Sequence, residues 1–188
     1  AFRSRAGRGG SWTDVGMAIM ISNLYNEGVQ VDRSRFEIVL EAVAAAALVA
    51  MFVVVGSSWG DLPDRIPTHF GPSGRPDSWG GKDSIWLLPG LGVLVYGFLS
   101  FSRGRPEWMN VPFALDKYNP EVLAILNQML LATKASVMLV LGILTWRSVE
   151  VGAGRAAGLG MEFLPITMVL IFVPMIAYLV KLSKYRLN

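Results

Sequence analysis

Three sets of side chains in this sequence have the type and spacing to do chemistry. The first is His69, the one histidine of the chain, with Asp61, Asp64 and Asp77 within eight residues of it. A metal site needs three or four well-placed ligands, and one imidazole with scattered carboxylates is a poor set. The expected role is a loop-organising hydrogen bond from His69 to Asp64 or Asp77, with no metal. The second set is Lys134, midway along the apolar stretch 122–146, together with Glu37 and Glu41. A charge inside a bilayer costs roughly 3 kcal/mol on insertion scales and marks function by default. If its helix begins near Asn119, with Asn127 and Gln128 as polar members, the true span runs about 131–149 and Lys134 snorkels to the interface. In the alternative, Lys134 pairs with Glu37 or Glu41. The third set is Arg3, Arg5 and Arg8, interleaved with Gly7, Gly9 and Gly10.

Other chemistry is excluded by what the sequence lacks. There are no cysteines, hence no disulfides, thiolate metal sites, iron–sulfur clusters or cysteine nucleophile. No apolar span contains a histidine, so the usual axial ligand for haem or chlorophyll is missing, and no cofactor is expected. Neither a phosphate-cradling glycine loop nor a paired-acid site appears, and a catalytic triad has only one loop histidine to draw on. No catalytic residue and no enzymatic activity are expected. Pro89, Gly90, Gly92, Pro165 and Pro174 fall within apolar spans, where such residues usually kink helices or let them pack closely. A transporter is a third-ranked reading, because the second and fourth spans offer no charged group for an ion path.

The elements that position these residues follow from composition. Of 188 residues 53% are hydrophobic and only 16% charged, against about 25% charged in a soluble domain. Mean hydropathy is +0.45. The apolar residues collect into four continuous stretches, each near the ~20 residues that cross ~30 Å of hydrocarbon. The spans are placed at about 37–58, 84–102, 124–147 and 162–181, with a loop at 59–83. The fold class is therefore all-α, a four-helix transmembrane bundle whose first partner is the lipid bilayer. Small residues at Ala42 and Ala44–Ala47 suit close helix contact.

Eleven basic residues (Arg3, Arg5, Arg8, Arg33, Arg35, Arg103, Arg105, Lys117, Lys181, Lys184, Arg186) fall on one side of this topology. Five (Arg65, Arg75, Lys82, Arg147, Arg155) fall on the other. By the positive-inside rule both termini are cytoplasmic and the 59–83 loop faces outward, in a bacterial cytoplasmic membrane. Trp59, Trp79, Trp86 and Trp146 then form an aromatic belt at the outer interface. The net charge of +3 thus reflects topology, and the Arg/Gly start does not indicate nucleic-acid binding. The opening on Ala1 is expected of a chain trimmed of its initiator Met. No secretory signal peptide is expected, since the first apolar run begins beyond residue 35.

Residues 1–35 form a cytoplasmic arm before the membrane domain at 36–188. Ser11 or Thr13 can cap a helix, Asp14 suits its first turn and Gly28 its end. Trp12, Val15, Ile19, Met20, Ile21 and Leu24 give that helix an apolar face, for the interface, a partner or the protein's own cytoplasmic loops. An Arg/Gly arm becomes ordered only when tied down. Arg3, Arg5, Arg8, Trp12 and Ile19 are accordingly the expected contacts to another subunit.

The 59–83 loop carries four prolines and four glycines between Leu62 and Lys82. That content forbids a regular helix and favours fixed turns, with Pro72-Ser73-Gly74 as a turn having Gly74 at positive φ. The pattern Leu62-Pro63-x-x-Ile66-Pro67-x-His69-Phe70, then Gly74, Asp77, an aromatic or glycine, and Lys82 before the next span, resembles the SdpI-like bacterial membrane proteins (domain of unknown function 1648). A second match is Asn110-Val111-Pro112, and the resemblance runs over roughly residues 40–147. It implies a shared membrane domain of no assigned biochemical activity, with a namesake that confers immunity to a secreted toxin. Two functions therefore lead. One is an accessory or structural subunit of a larger bacterial membrane complex, of the energy-converting (respiratory or photosynthetic) kind, contacting other subunits. The other is an SdpI-like immunity or signalling protein, binding a peptide toxin or regulator through His69, Phe70 and Trp79 of the outer loop.

Overall fold

A computed structural model describes residues 35–187 of the chain. Four long helices, a two-stranded hairpin and two short 3-10 turns follow one another in sequence. Helix α1 runs Arg35–Ser58, strand β1 Arg65–Phe70, strand β2 Pro76–Gly81, α2 Leu87–Ser102, α3 Pro120–Gly152 and α4 Phe163–Ser183. The 3-10 turn Lys82–Trp86 leads directly into α2, and together they form an apolar rod of 21 residues. All four helical rods are long and apolar enough to cross a membrane, and the chain is a multi-pass membrane protein.

α3 is the axis of the bundle. The other three helices all pack on it, α1 most extensively, while α2 and α4 hardly touch each other. It begins where Asn119 places its side chain under the first turn, accepting hydrogen bonds from the amides of Glu121 (2.9 Å) and Val122 (3.4 Å), with Pro120 preset for the first helical position. Its 33 residues make a rod about 50 Å long, extending well past the 124–147 span read from hydropathy. The start is the one near Asn119 that the polar Asn127 and Gln128 suggested, and the far end runs past 147 because polar residues there lower the hydropathy without interrupting the helix.

The helices α1, α2 and α4 turn large apolar side chains outward. Val49, Val53, Leu94, Phe98, Val169 and Val173 are all more than two-fifths exposed, as lipid-facing residues must be where no hydrophobic effect drives them inward. Close contact inside the bundle uses small residues instead. Ala44 of α1 and Ala135 of α3 are buried with Met138 in the mid-bundle cluster, and Gly92 of α2 accepts the Met51 and Leu48 side chains of α1 against its bare backbone.

The all-α expectation needs one amendment, because the 59–83 loop contains an antiparallel hairpin. Its register pairs Arg65 with Gly81, Ile66 with Gly80, Pro67 with Trp79, His69 with Ser78 and Phe70 with Pro76, with irregularities around Thr68 and His69. The prolines that forbid a helix do not forbid this. A residue before proline is pushed toward extended geometry, and a two-stranded ribbon has open edges where a missing N–H costs nothing. The turn is closed by Gly74 N–H donating to Gly71 O (2.8 Å) and Gly71 N–H to Arg75 O (2.9 Å), with Gly74 at φ +73°.

A lone hairpin is marginal in water, and this one is stabilised by docking. Ile66 and Leu62 are buried with Val55, Ile85 and Val149, seated on Gly152 at the end of α3, where a Cβ would sit 3.2 Å from each of them. At the tip, the Gly74 carbonyl accepts from Leu159 N–H (2.8 Å) in the α3–α4 loop. Arg147 holds that loop from beneath through the carbonyls of Leu159 (3.1 Å) and Gly158 (2.7 Å). Gly158 must be bare, since a Cβ there would overlap the Gly74 carbonyl.

At the opposite end of the bundle the segment after α2 folds over the start of α3 and the end of α4. Met109, Val122, Ile125, Leu126 and Leu182 form its core, and Leu115 and Arg186 pair as a short bridge.

Candidate functional site

Two arrangements of polar side chains stand out, one toward each end of the bundle. The first is a charged layer shared by α1, α2 and α3. Lys134 is 3% exposed, and its ammonium donates to both carboxylate oxygens of Glu41 (2.7 and 2.8 Å) and to Ser100 Oγ (3.0 Å). It also lies 4.4 Å from the centre of the Tyr96 ring, whose hydroxyl donates to Glu41 (2.5 Å). One helical turn nearer the start of α1, the buried Glu37 accepts from Arg103 Nη2 (2.6 Å) and Gln128 Nε2 (3.4 Å).

The snorkelling reading of Lys134 is thereby corrected. The long side chain does not reach for the membrane surface, because a carboxylate, a hydroxyl and an aromatic face are all closer. Of the two acids considered, Glu41 takes Lys134, and Glu37 is taken by Arg103, which the sequence reading had not linked to it. Arg103, Tyr96, Ser100 and Gln128 were missed as members. A signal was present: Tyr96 and Ser100 lie four apart on one face of α2, and Arg103 follows three residues later, just past its end.

Electrostatically the layer closes on itself. Two carboxylates meet two cations, so the group is neutral. Among the described residues no buried side-chain nitrogen or oxygen is left without a partner. Charges removed from water are tolerable only when paired and hydrogen-bonded in this way. The arrangement ties three helices into one register and offers no open coordination position.

The second arrangement is a cleft of about 360 Å³ between the hairpin and the bundle. Pro67–Phe70 of β1 cover it, Leu87 and Leu88 of α2 and Phe163 of α4 flank it, and Leu144 and Ser148 of α3 line its base. His69 stands on the covering strand, its Nδ1 2.6 Å from Asp77 Oδ1 across the hairpin. The pair is largely exposed, 70% for His69 and 51% for Asp77. Phe70 is half-buried against the cleft, and Trp79 on β2 is 48% exposed. The hairpin thus gathers His69, Phe70 and Trp79 on one anchored element. Among the described residues no group of three or more histidine and carboxylate side chains could hold a metal.

Tryptophans ring this end. Trp59 and Trp86 have their rings 5.8 Å apart, and Lys82 Nζ lies 4.8 Å from the centre of the Trp59 ring. Beside the cleft, Arg155 grips Glu150 through Nε and Nη2 at 2.9–3.2 Å, and that carboxylate holds the guanidinium above its usual range. Arg3, Arg5, Arg8, Trp12 and Ile19 lie outside the described residues.

Residues 46–93 match the family described as Domain of unknown function (DUF1648). The matched segment takes in most of α1, the hairpin and the first part of α2. An uncharacterized protein of Archaeoglobus fulgidus is 30% identical over 63 residues, which is 29% of this chain and 34% of the relative. The chain therefore spans about a third of the length of the curated relative it matches. No solved structure matches the chain.

Proposed function

We propose that this chain is a non-catalytic membrane protein that works by binding, as an accessory subunit of a larger bacterial membrane complex of the energy-converting kind. Its hairpin is the contact to its partner. The observation that carries this reading is the fixed hairpin. It is held by Ile66 and Leu62 at its base and by the Gly74–Leu159 hydrogen bond at its tip, yet it leaves His69, Asp77 and Trp79 exposed. A polar and aromatic surface on a pre-ordered element binds without a large ordering cost. The buried charges, by contrast, are all spent on one another. In this reading the hairpin end faces outward and both termini lie in the cytoplasm, following the distribution of basic residues.

The test is extraction from the native membrane in mild detergent. The chain should migrate with a stoichiometric larger complex, and a His69→Ala, Trp79→Ala protein should migrate alone. A wild-type chain that runs as a lone species refutes the proposal.

A second reading is favoured by where the family match falls. Residues 46–93 enclose the whole hairpin, the segment that carries the SdpI-like pattern. In that reading the hairpin binds a peptide toxin or regulator, and alanine at His69 or Phe70 abolishes protection of toxin-exposed cells. Protection unchanged by either substitution rejects it.

A further inference from the structure

α2 ends in a group of aromatic rings that belongs to none of the three buried clusters. Leu87, Leu91, Leu94, Phe98 and Phe101 follow at intervals of four, three, four and three and are all exposed, so they form one lipid-facing ridge along the helix. Past the end of α2 the chain turns back onto that ridge. Gly104 takes φ +75° and donates its N–H to Asn127 Oδ1 of α3 (2.9 Å). Arg105 N–H donates to Ser102 O (3.2 Å), and the 3-10 turn Pro106–Trp108 closes with Trp108 N–H on Arg105 O (3.1 Å). The Trp108 ring is thereby laid against Phe98 and Phe101, at 6.0 and 5.4 Å between ring centres. All three rings stay at least half exposed.

Arg105 is seated on this group. Its guanidinium lies 3.7 Å from the centre of the Phe101 ring and donates through Nη1 to the Phe101 carbonyl. The ring and the carbonyl fix its position and leave most of its N–H donors for another partner. Among the described residues no ion pair includes Arg105, although Glu107 stands two residues away. Arg103, by contrast, is bound to the buried Glu37. A planar guanidinium held in a fixed place is matched to phosphate, which it can meet with paired hydrogen bonds.

The surroundings say which phosphate. The Leu87–Phe101 ridge belongs in hydrocarbon, and tryptophan settles where hydrocarbon gives way to headgroups. Arg105 comes just after the last apolar residue of the ridge, so it stands at the level of the lipid phosphates. Lys181, Lys184 and Arg186 are exposed at this same end of the bundle, and basic residues close to a membrane surface attract acidic lipids. A zwitterionic headgroup brings its own ammonium to its phosphate, whereas an acidic one leaves that place to the guanidinium.

We propose that Arg105 binds the phosphate of one acidic phospholipid, whose acyl chains lie against the Leu87–Phe101 ridge beside Trp108. The site is at the end of the bundle opposite the hairpin, so it stands or falls independently of the partner assigned there.

The full chain is reconstituted in nanodiscs of equal parts palmitoyl-oleoyl phosphatidylglycerol and phosphatidylcholine, released into mild detergent and measured by native mass spectrometry. The wild-type chain should retain phosphatidylglycerol in preference to phosphatidylcholine. Arg105→Gln should lower that preference about fivefold, the effect of one basic residue at a membrane surface. Arg105→Lys, which keeps the charge, should keep most of it. Lys184→Gln removes a charge at the same end without the aromatic seat and should lower it by less than Arg105→Gln does. Equal retention of the two lipids by the wild type overturns the proposal, as does an unchanged preference in Arg105→Gln. Equal losses in Arg105→Lys and Arg105→Gln, or in Lys184→Gln and Arg105→Gln, also overturn it. So does a preference abolished by inorganic phosphate and not by chloride of the same ionic strength, since the site would then belong to a free anion. In liposomes, the fluorescence lost in Trp108→Phe should be quenched more by lipid brominated near the glycerol than by lipid brominated near the chain ends, and the reverse order refutes the placement.

Discussion

Replacing Lys134 with methionine, Glu41 with leucine, and both together gives a direct measure of what the charged layer contributes. Breaking a buried ion pair by removing one partner costs about 3–5 kcal/mol, because the other charge is left without compensation, whereas replacing both with apolar groups is often neutral. The geometry orders the two single changes. After Lys134→Met, Glu41 keeps the Tyr96 hydroxyl at 2.5 Å. After Glu41→Leu, Lys134 keeps only the Ser100 oxygen at 3.0 Å and the Tyr96 ring. Glu41→Leu therefore falls at the upper end, about 5 kcal/mol, and Lys134→Met at the lower, about 3 kcal/mol. The double replacement leaves the Tyr96 and Ser100 hydroxyls to find new partners, a cost of about 1–2 kcal/mol at most. The coupling between the two sites is then about 6 kcal/mol, far beyond the few tenths expected of independent positions. Reversible unfolding in mixed micelles, followed by circular dichroism, reads all four corners of the cycle. A double variant that costs the sum of the two singles refutes the reasoning, as does a pair of singles costing less than about 1 kcal/mol each.

Three further outcomes follow from the hairpin and the tail. Gly152→Val should lift the hairpin off α3, since even a Cβ meets Ile66 and Leu62 at 3.2 Å; the cost is about 1–3 kcal/mol, read as faster proteolysis between residues 62 and 82. Gly74→Ala should cost about 1–2 kcal/mol for its left-handed backbone, with more from the Gly160 carbonyl 3.0 Å from the new Cβ, and thermal unfolding measures it. Tyr185 donates to Glu121 at 2.9 Å, and this bond, with the carboxylate charge, raises the phenol above its usual range. The neutral phenol is thus favoured in the folded tail, so the stabilisation is full below the ordinary tyrosine range and is lost as pH rises through the raised value. Ultraviolet titration of the phenolate should show a late-ionising component from Tyr185 that shifts toward the ordinary range in Glu121→Gln.

The bundle was legible because hydrocarbon imposes a length on every span, and the apolar runs of α1, α2 and α4 carry it with few charges. The left-handed turn at Gly74 was legible for a similar reason, since Pro72-Ser73-Gly74 leaves few alternatives. The hairpin was not, because its strands lack alternating hydrophobicity: Ile66 and Pro67 are buried in succession and β2 is almost wholly exposed. Its stability comes from Gly152 and Leu159, some eighty residues away. The partner of Lys134 stayed open for the same reason. Glu37 and Glu41 are one turn apart, and which of them meets Lys134 is decided by the rotation of α1 against α3. That rotation is set by small residues such as Ala44 and Ala135, and spacing along one strand of sequence carries no record of it.

α3, at about 50 Å, exceeds the ~30 Å of hydrocarbon by about two-fifths of its own length. The surplus is sheathed at both ends, by Gly152 under the hairpin and by the Met109–Leu182 cluster around its first turns. The folded caps on the two faces of the membrane are consequently riveted to a single strut. A rigid helix fixed at both ends would pass a load on one cap to the other as tilt or piston displacement, with no need to unwind.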